Sequence, residues 1–457
     1  MVGGATQRRS NQMALLQPRY GRDRRSVCWR TRDATATMRR MLPALVRAAL
    51  RRGNAALLFV VMSMAQCAFA QAAIAAPTSA TGHQASRDLE ALLVSRPDDF
   101  RAVLAARRQH RLQVLLAEPV AAEGGRVTLR RSRLGDARQY FYPASTVKLG
   151  AAVAALLELQ RLSREQGEAI TLDASWRAGP RFAGDPEDPP WIRVADDLRA
   201  MLIVSDNPPY NRCFELLSQK GLNDTLWRAG LASARMWHRL SEARTIEEHR
   251  VTRQFAIQHG DTSLSIAARE AGAKLDNEGF DELLVGTSHL RGEQRIEQPM
   301  SFAEKNAIAL EDLQDLLAMV VRPDIDLGKR GFPELSVTSR AFLIEQLGAY
   351  PRESPSPKYD EKQHPDAQCK FLLPGLRRVV RADSLRVYAK IGQAYGFAIE
   401  NSYVENIATG RGFFVAAVIY VNADGCVGDD RYDYESVADP FFAVLGEVLA
   451  RAVFDAD

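Results

Sequence analysis

Along residues 385–390 apolar and more polar positions alternate: Leu385, Val387 and Ala389 against Arg386, Tyr388 and Lys390. A period of two predicts a strand with one face buried. Residues 396–403 and 413–421 predict two further strands, and 440–454 a closing helix. Near the front, 110–117 and 126–130 flank a Gly-containing turn and predict a hairpin. The middle is helical. Residues 146–159 are apolar all round, which predicts a buried helix. Residues 194–204 and 210–218 carry a helical period around a Pro-Pro break, and 309–321 and 339–347 return to it. The Pro-rich stretches 176–191 and 353–366 predict loops, and 243–300, rich in charge and without a clean period, predict no regular element. Strands at both ends with helices between predict an α+β (α/β) fold. It would be an antiparallel sheet flanked by terminal helices, with an all-helical subdomain of about 146–347 inserted in it. No internal repeat is present.

Charge divides the chain of 457 residues in two. Residues 1–70 hold 13 Arg, no Lys and only Asp23 and Asp33, leaving 47 basic against 54 acidic side chains after them, a net of −7. Nucleic-acid binding needs positive charge on the folded part to displace counterions, so that class is excluded and no nucleic-acid partner is expected. The basic front is explained by export. An apolar run, 55–65, follows Arg47, Arg51 and Arg52 and precedes Ala68-Phe69-Ala70. At eleven residues it is shorter than the roughly 20 a membrane-spanning helix needs. It therefore reads as a secretory signal peptide cleaved near Ala70, which predicts a periplasmic or secreted protein with no stable membrane span after cleavage. Met38 reads as the true start. A lipoprotein anchored at Cys67 ranks second, because Gln66 before it is too large for that cleavage. The expected organisation is 1–70 extension and signal, 71–87 linker, and 88–457 a single domain, a monomer, with 243–300 an unusual segment inside it. Cys213, Cys369 and Cys426 remain, enough for at most one disulfide. With neither HExxH nor CxxC present, no metal and no cofactor are expected.

Three short motifs carry chemistry. In Ser145-Thr146-Val147-Lys148 the first and last side chains share a helix face. Burial would lower the amine's pKa enough for it to take the serine proton. The Ser145 N–H would lie at a helix N-terminus, where donors face negative charge. Ser205-Asp206-Asn207 follows 60 residues later, offering a second hydroxyl and an amide; alone it reads equally as a helix cap. Lys390-Ile391-Gly392 ends the alternating strand. There Lys390 falls on the polar face and Gly392 would let a substrate approach the backbone; alone it reads as an edge strand guarded by a lysine.

In this order and in an exported chain, the three motifs resemble those of the class A β-lactamases and penicillin-binding proteins, a DD-peptidase-like superfamily. The resemblance covers roughly residues 105–457 and implies a β-lactamase/transpeptidase-like fold and an acyl-enzyme on Ser145. The implied substrate is a small-molecule β-lactam or a peptidoglycan-derived acyl donor. It implies Lys148 as base, Ser205 as proton shuttle, Asn207 and Lys390 as substrate-binding groups, and the N–H groups of Ser145 and Gln393, beside Gly392, as an oxyanion hole. Asn211 and Arg239 would support the neighbouring loop. There are two departures. Ile391 stands where the family has a hydroxyl residue. The family's Arg is followed two residues on by a deacylating Glu, whereas here Arg239 is followed by Ser241, with Glu242 one further. Glu242 would serve only if the loop carries an insertion; otherwise it is a surface residue and the acyl-enzyme persists. β-Lactam hydrolysis is the leading expectation. The alternatives are a DD-peptidase, an amidase or esterase, or a slowly deacylating penicillin-binding sensor.

Overall fold

The computed structural model describes residues 87–180 and 189–455. The expected signal peptide and, apart from Arg87, the 71–87 linker lie outside these residues. Six strands form the main sheet: β1 (Gln113–Ala121), β2 (Val127–Leu134), β3 (Leu385–Ala389), β4 (Gly392–Ala394), β5 (Phe397–Asn406) and β6 (Arg411–Tyr420). The order is β3-β5-β6-β1-β2, with β4 also paired to β5, and every pairing is antiparallel. Strand β6 lies at mid-sheet and is buried on both faces, which is why 413–421 reads as an unbroken apolar run.

Each face of the sheet has its own core. Behind it, α1 (Leu89–Val94), α2 (Pro97–Ala105) and the C-terminal α8 (Asp439–Phe454) pack on Val114, Leu116, Ala398, Val415 and Ile419. In front, Leu115, Ala117, Phe397, Ile399 and Val418 meet the inserted helices α3 (Lys148–Gln166), α4 (Val194–Ile203), α5 (Asn207–Arg228), α6 (Leu310–Val321) and α7 (Val337–Gly348). Side chains of alternate parity therefore serve the two cores. Helix α3 is buried along Leu149–Leu156 and stops at Gly167 in the left-handed conformation (φ 69°), where only glycine is unstrained. Among the described residues no helix is long and apolar enough to cross a membrane, and Cys213, Cys369 and Cys426 are all free thiols.

The inserted part is chiefly helical but holds more than helices. Ser175–Ala178, Ile192–Arg193, Phe255–His259 and Thr262–Ile266 form a four-stranded sheet. It is pinned by fully buried Trp176, which meets Phe255 edge-on at 5.9 Å. The expected loop 176–191 thus opens as a strand, and the expected irregular segment 243–300 holds several short strands and the five-residue helix Ile246–Arg250. A second hairpin, Ser288–Arg291 with Gln294–Ile296, pairs in parallel with Cys426–Val427. Pieces of two to five residues are too short to display a period.

Behind the sheet, the turn at 373–376 presses on α8. A Cβ added at Gly375 would lie 1.6 Å from the Ala443 carbonyl oxygen. Gly375→Ala is expected to lower unfolding free energy by about 1–3 kcal/mol or more, read from urea denaturation.

Candidate active site

Ser145 sits in a single 3-10 turn, Ala144–Val147, that leads into α3. Its Oγ accepts a hydrogen bond from Lys148 Nζ at 2.8 Å. Lys148 is fully buried. Its Nζ also reaches Asn207 Oδ1 at 2.6 Å, Ser205 Oγ at 3.3 Å and the Ser205 carbonyl oxygen. These partners are all neutral oxygens. Burial, reinforced by the Lys390 ammonium, holds the Lys148 pKa well below the ordinary lysine range, so the amine can be a base.

Ser205 lies between α4 and α5 in the left-handed region (φ 66°), and Asp206 caps α5 through the Asn207 N–H at 3.0 Å. The third motif arrives from the edge of the sheet. Lys390 bonds Asn401 through its backbone, keeping the register of β3 and β4 on β5 continuous across the break. Parity then assigns the side chains: Val387, Ala389 and Ile391 enter the rear core, whereas Lys390 enters the front. Lys390 is accordingly buried, not on a solvated polar face as its alternation suggested, and its Nζ donates to Ser205 Oγ at 2.8 Å and to its neighbour's carbonyl at 3.1 Å. Burial pulls its pKa down to about 7. Ile391 packs away from the site, so its lack of a hydroxyl reflects the core it fills.

Gly392 is also required by the serine turn. A Cβ there would sit 2.7 Å from the Pro143 carbonyl oxygen and 3.1 Å from the Ser145 nitrogen, so the turn that carries Ser145 approaches this strand closely. Since Lys390 occupies a hydrogen-bonded pair with Asn401, alternation places Gln393 opposite Ala398 in a non-hydrogen-bonded pair, its N–H directed away from β5. That N–H and the Ser145 N–H thus belong to adjoining segments.

The loop after α5 is tied to the helix by one stripe of polar residues at every fourth position. Asn223 exchanges hydrogen bonds with the Met236 backbone, Gln219 donates to the Trp237 carbonyl, and Asn211 exchanges bonds with the Leu240 backbone at 2.8 and 2.9 Å. Between them, fully buried Glu215 grips Arg239 through two bonds (2.7 and 3.0 Å) and also takes Arg253. Burial alone would raise the Glu215 pKa, but the two guanidinium groups hold it below the usual carboxylate range. At the top of the stripe Asn207 Nδ2 donates to Ser241 Oγ at 2.8 Å. Asn207, Asn211 and Arg239 stand out in the sequence; Glu215, Gln219 and Asn223 do not. Their signal was the i, i+4 recurrence of amide and carboxylate residues on one helix face.

The Glu242 carboxylate takes Asn211 Nδ2 at 3.2 Å and pairs with Arg244 at 2.8 Å, with its side chain only 4% exposed. It lines a cavity of about 270 Å³ with Pro208, Arg212 and Arg253. The expected choice between a deacylating base and a surface glutamate is thus met by a third arrangement, a largely buried ion pair. No group of three or more His, Cys, Asp or Glu among the described residues is placed to hold a metal ion.

Ser145, Lys148, Ser205, Asn207 and Lys390 are joined in one hydrogen-bonded chain. Residues 131–276 match the beta-lactamase enzyme family. The match covers the first two motifs and the loop to Arg239 and Glu242; Lys390 lies beyond it. The search of curated proteins found no match. Solved structures similar to this chain include a beta-lactamase from Burkholderia ambifaria (16% identity, 77% of this chain and 98% of that one, TM-score 0.43). Others are the chromosome-encoded beta-lactamase of Vibrio parahaemolyticus (11%, 79% and 99%, 0.45) and a class A beta-lactamase from Mycobacterium abscessus (16%, 79% and 99%, 0.43).

Removing Glu215 would strand Arg239 in the interior and take a partner from half-buried Arg253. Glu215→Ala is expected to cost about 3–5 kcal/mol, measured by urea denaturation, with hydrogen exchange rising first in 236–242.

Proposed function

We propose that this chain is an exported serine hydrolase that forms an acyl-enzyme on Ser145, with β-lactams as its leading substrate class. The observation that carries this reading is the Ser145 Oγ bond to a buried lysine amine whose other partners are neutral oxygens. In acylation, Ser145 Oγ attacks the carbonyl carbon as its proton passes to Lys148. The carbon–nitrogen bond then breaks, and the leaving nitrogen takes a proton through Ser205. The N–H groups of Ser145 and Gln393 would bind the oxyanion, each contributing about 2.7–4 kcal/mol. The second Asn207 amide hydrogen is left for a substrate carbonyl, and the Lys390 ammonium for a substrate carboxylate. The family match over 131–276 and the basic, apolar, small-residue order of 47–70 support hydrolase and export respectively. A second reading, a domain that acylates and releases slowly, is favoured by the pairing of Glu242 with Arg244.

Intact-mass spectrometry after exposure to a penicillin is expected to show one adduct on Ser145, lost in Ser145→Ala. An unmodified wild-type protein that also fails to hydrolyse the drug would exclude β-lactams.

The pKa of Lys390 near 7 gives a pH test. Its ammonium is present below about pH 7 and lost above it. For a substrate bearing a carboxylate, kcat/KM is therefore expected to fall as pH rises through 7, because that ratio reports the free enzyme. Lys390→Arg, charged throughout, should move this limb upward.

A further inference from the structure

Helices α3 and α5 both start at the catalytic centre, with Lys148 and Asn207 as their first residues. Farther along, residues within 154–164 of α3, 217–228 of α5 and the segment 330–334 surround a separate cavity of about 550 Å³. Helix α5 is broken beside it. Ser218 takes the left-handed region (φ 69°), and the donors freed there are met from outside the helical ladder: the Lys220 N–H goes to the Ala271 carbonyl at 3.0 Å and the Gly221 N–H to Ser218 Oγ at 3.3 Å. A strained residue persists only where its surroundings enforce it, and such residues gather at sites that bind. Gly221 leaves the space open, since a Cβ there would meet nothing nearer than 3.7 Å.

The lining divides into a hydrocarbon floor, Ala154, Leu157, Leu217 and Phe332, and a charged rim. Each carboxylate of the rim already has a cation: Glu158 has Arg161, Asp224 has Lys220 and Glu334 has Arg330. Arg164 and Arg228 line the same cavity and have no carboxylate partner among the described residues; Arg228 gives one bond, to Thr225 Oγ1 at 3.2 Å. Two guanidinium forks are left for an incoming anion, and planar forks match the oxygens of a phosphate. The volume lies within the roughly 300–1,000 Å³ of small-molecule sites. We propose that this cavity is a second binding site, apart from Ser145, that takes a phosphate monoester with a short apolar tail. The phosphate, with a charge of about −2 near neutral pH, balances Arg164 and Arg228, and the tail lies on Leu157 and Leu217.

Calorimetric titration of the full chain with octyl phosphate tests this, with melting temperatures taken on every protein to confirm folding. One molecule is expected to bind per chain, at least tenfold more tightly than inorganic phosphate. Octyltrimethylammonium, with the same tail and the opposite charge, is expected not to bind. Two variants remove separate halves of the site. Arg164→Gln with Arg228→Gln takes away the partners of the head group; Gly221→Leu keeps both arginines and puts a side chain into the open space. Each is expected to weaken binding at least tenfold. Absence of octyl phosphate binding, equal binding of inorganic phosphate or of the cation, or unchanged affinity in either folded variant would overturn the proposal. Should one variant fail to fold, the other decides. The readout is binding alone, so it holds whether or not Ser145 forms an acyl-enzyme.

Discussion

The burial of a lysine amine among neutral oxygens organises the molecule around Lys148. Such a group is stable inside only if its donors are satisfied and its charge can be shed. The first condition draws Ser145, Ser205 and Asn207 into one shell, and each has to be delivered by a different segment: a 3-10 turn, the junction of α4 and α5, and the first turn of α5. The second condition is met by burial, which outweighs the opposing charge of Asp206. Lys390, the nearest ionisable neighbour in the chain of bonds, adds a like charge that favours the neutral amine further.

Delivering those groups strains the backbone where they converge. Ala144, Ser205, Ser241 and Tyr395 all occupy the left-handed region, at a cost on the order of 1–3 kcal/mol each, and each borders or carries part of the site. The compensation lies below, in the stripe along α5 from Asn207 to Asn223. There backbone groups of the following loop are bonded one by one to buried amides, and an ion pair of three members sits at the middle. A loop fixed in this way can hold Ser241 in an unfavourable conformation without relaxing.

Wherever one periodicity ran long enough to bury a whole face, the architecture was readable from the residues alone. The alternation from Leu385, the apolar runs now seen as β5 and β6, the greasy helix after Ser145 and the closing helix at Phe454 are all of this kind. The order of the three motifs was readable for the same reason: each lies at the end of such an element. What escaped was set by contacts between segments. Glu215 looks like any helical glutamate until Arg239 is brought against it. The direction of Glu242 depends on the φ of the residue before it. The strands around Trp176 and Phe255 are too brief to reveal a period, and they form a sheet only because a tryptophan holds them together.

The unbroken register of β3 and β4 on β5 has an evolutionary consequence. Odd-numbered side chains from Leu385 to Ile391 feed the rear core and Lys390 points to the front, so a single codon deleted between Leu385 and Lys390 would set Ile391 in the place of Lys390. The ammonium would then enter hydrocarbon and a branched alkyl group would face Ser205. Length changes there can be tolerated only in pairs, whereas the connection from Asn406 to Arg411, facing solvent at the far end of the same ladder, carries no such parity rule.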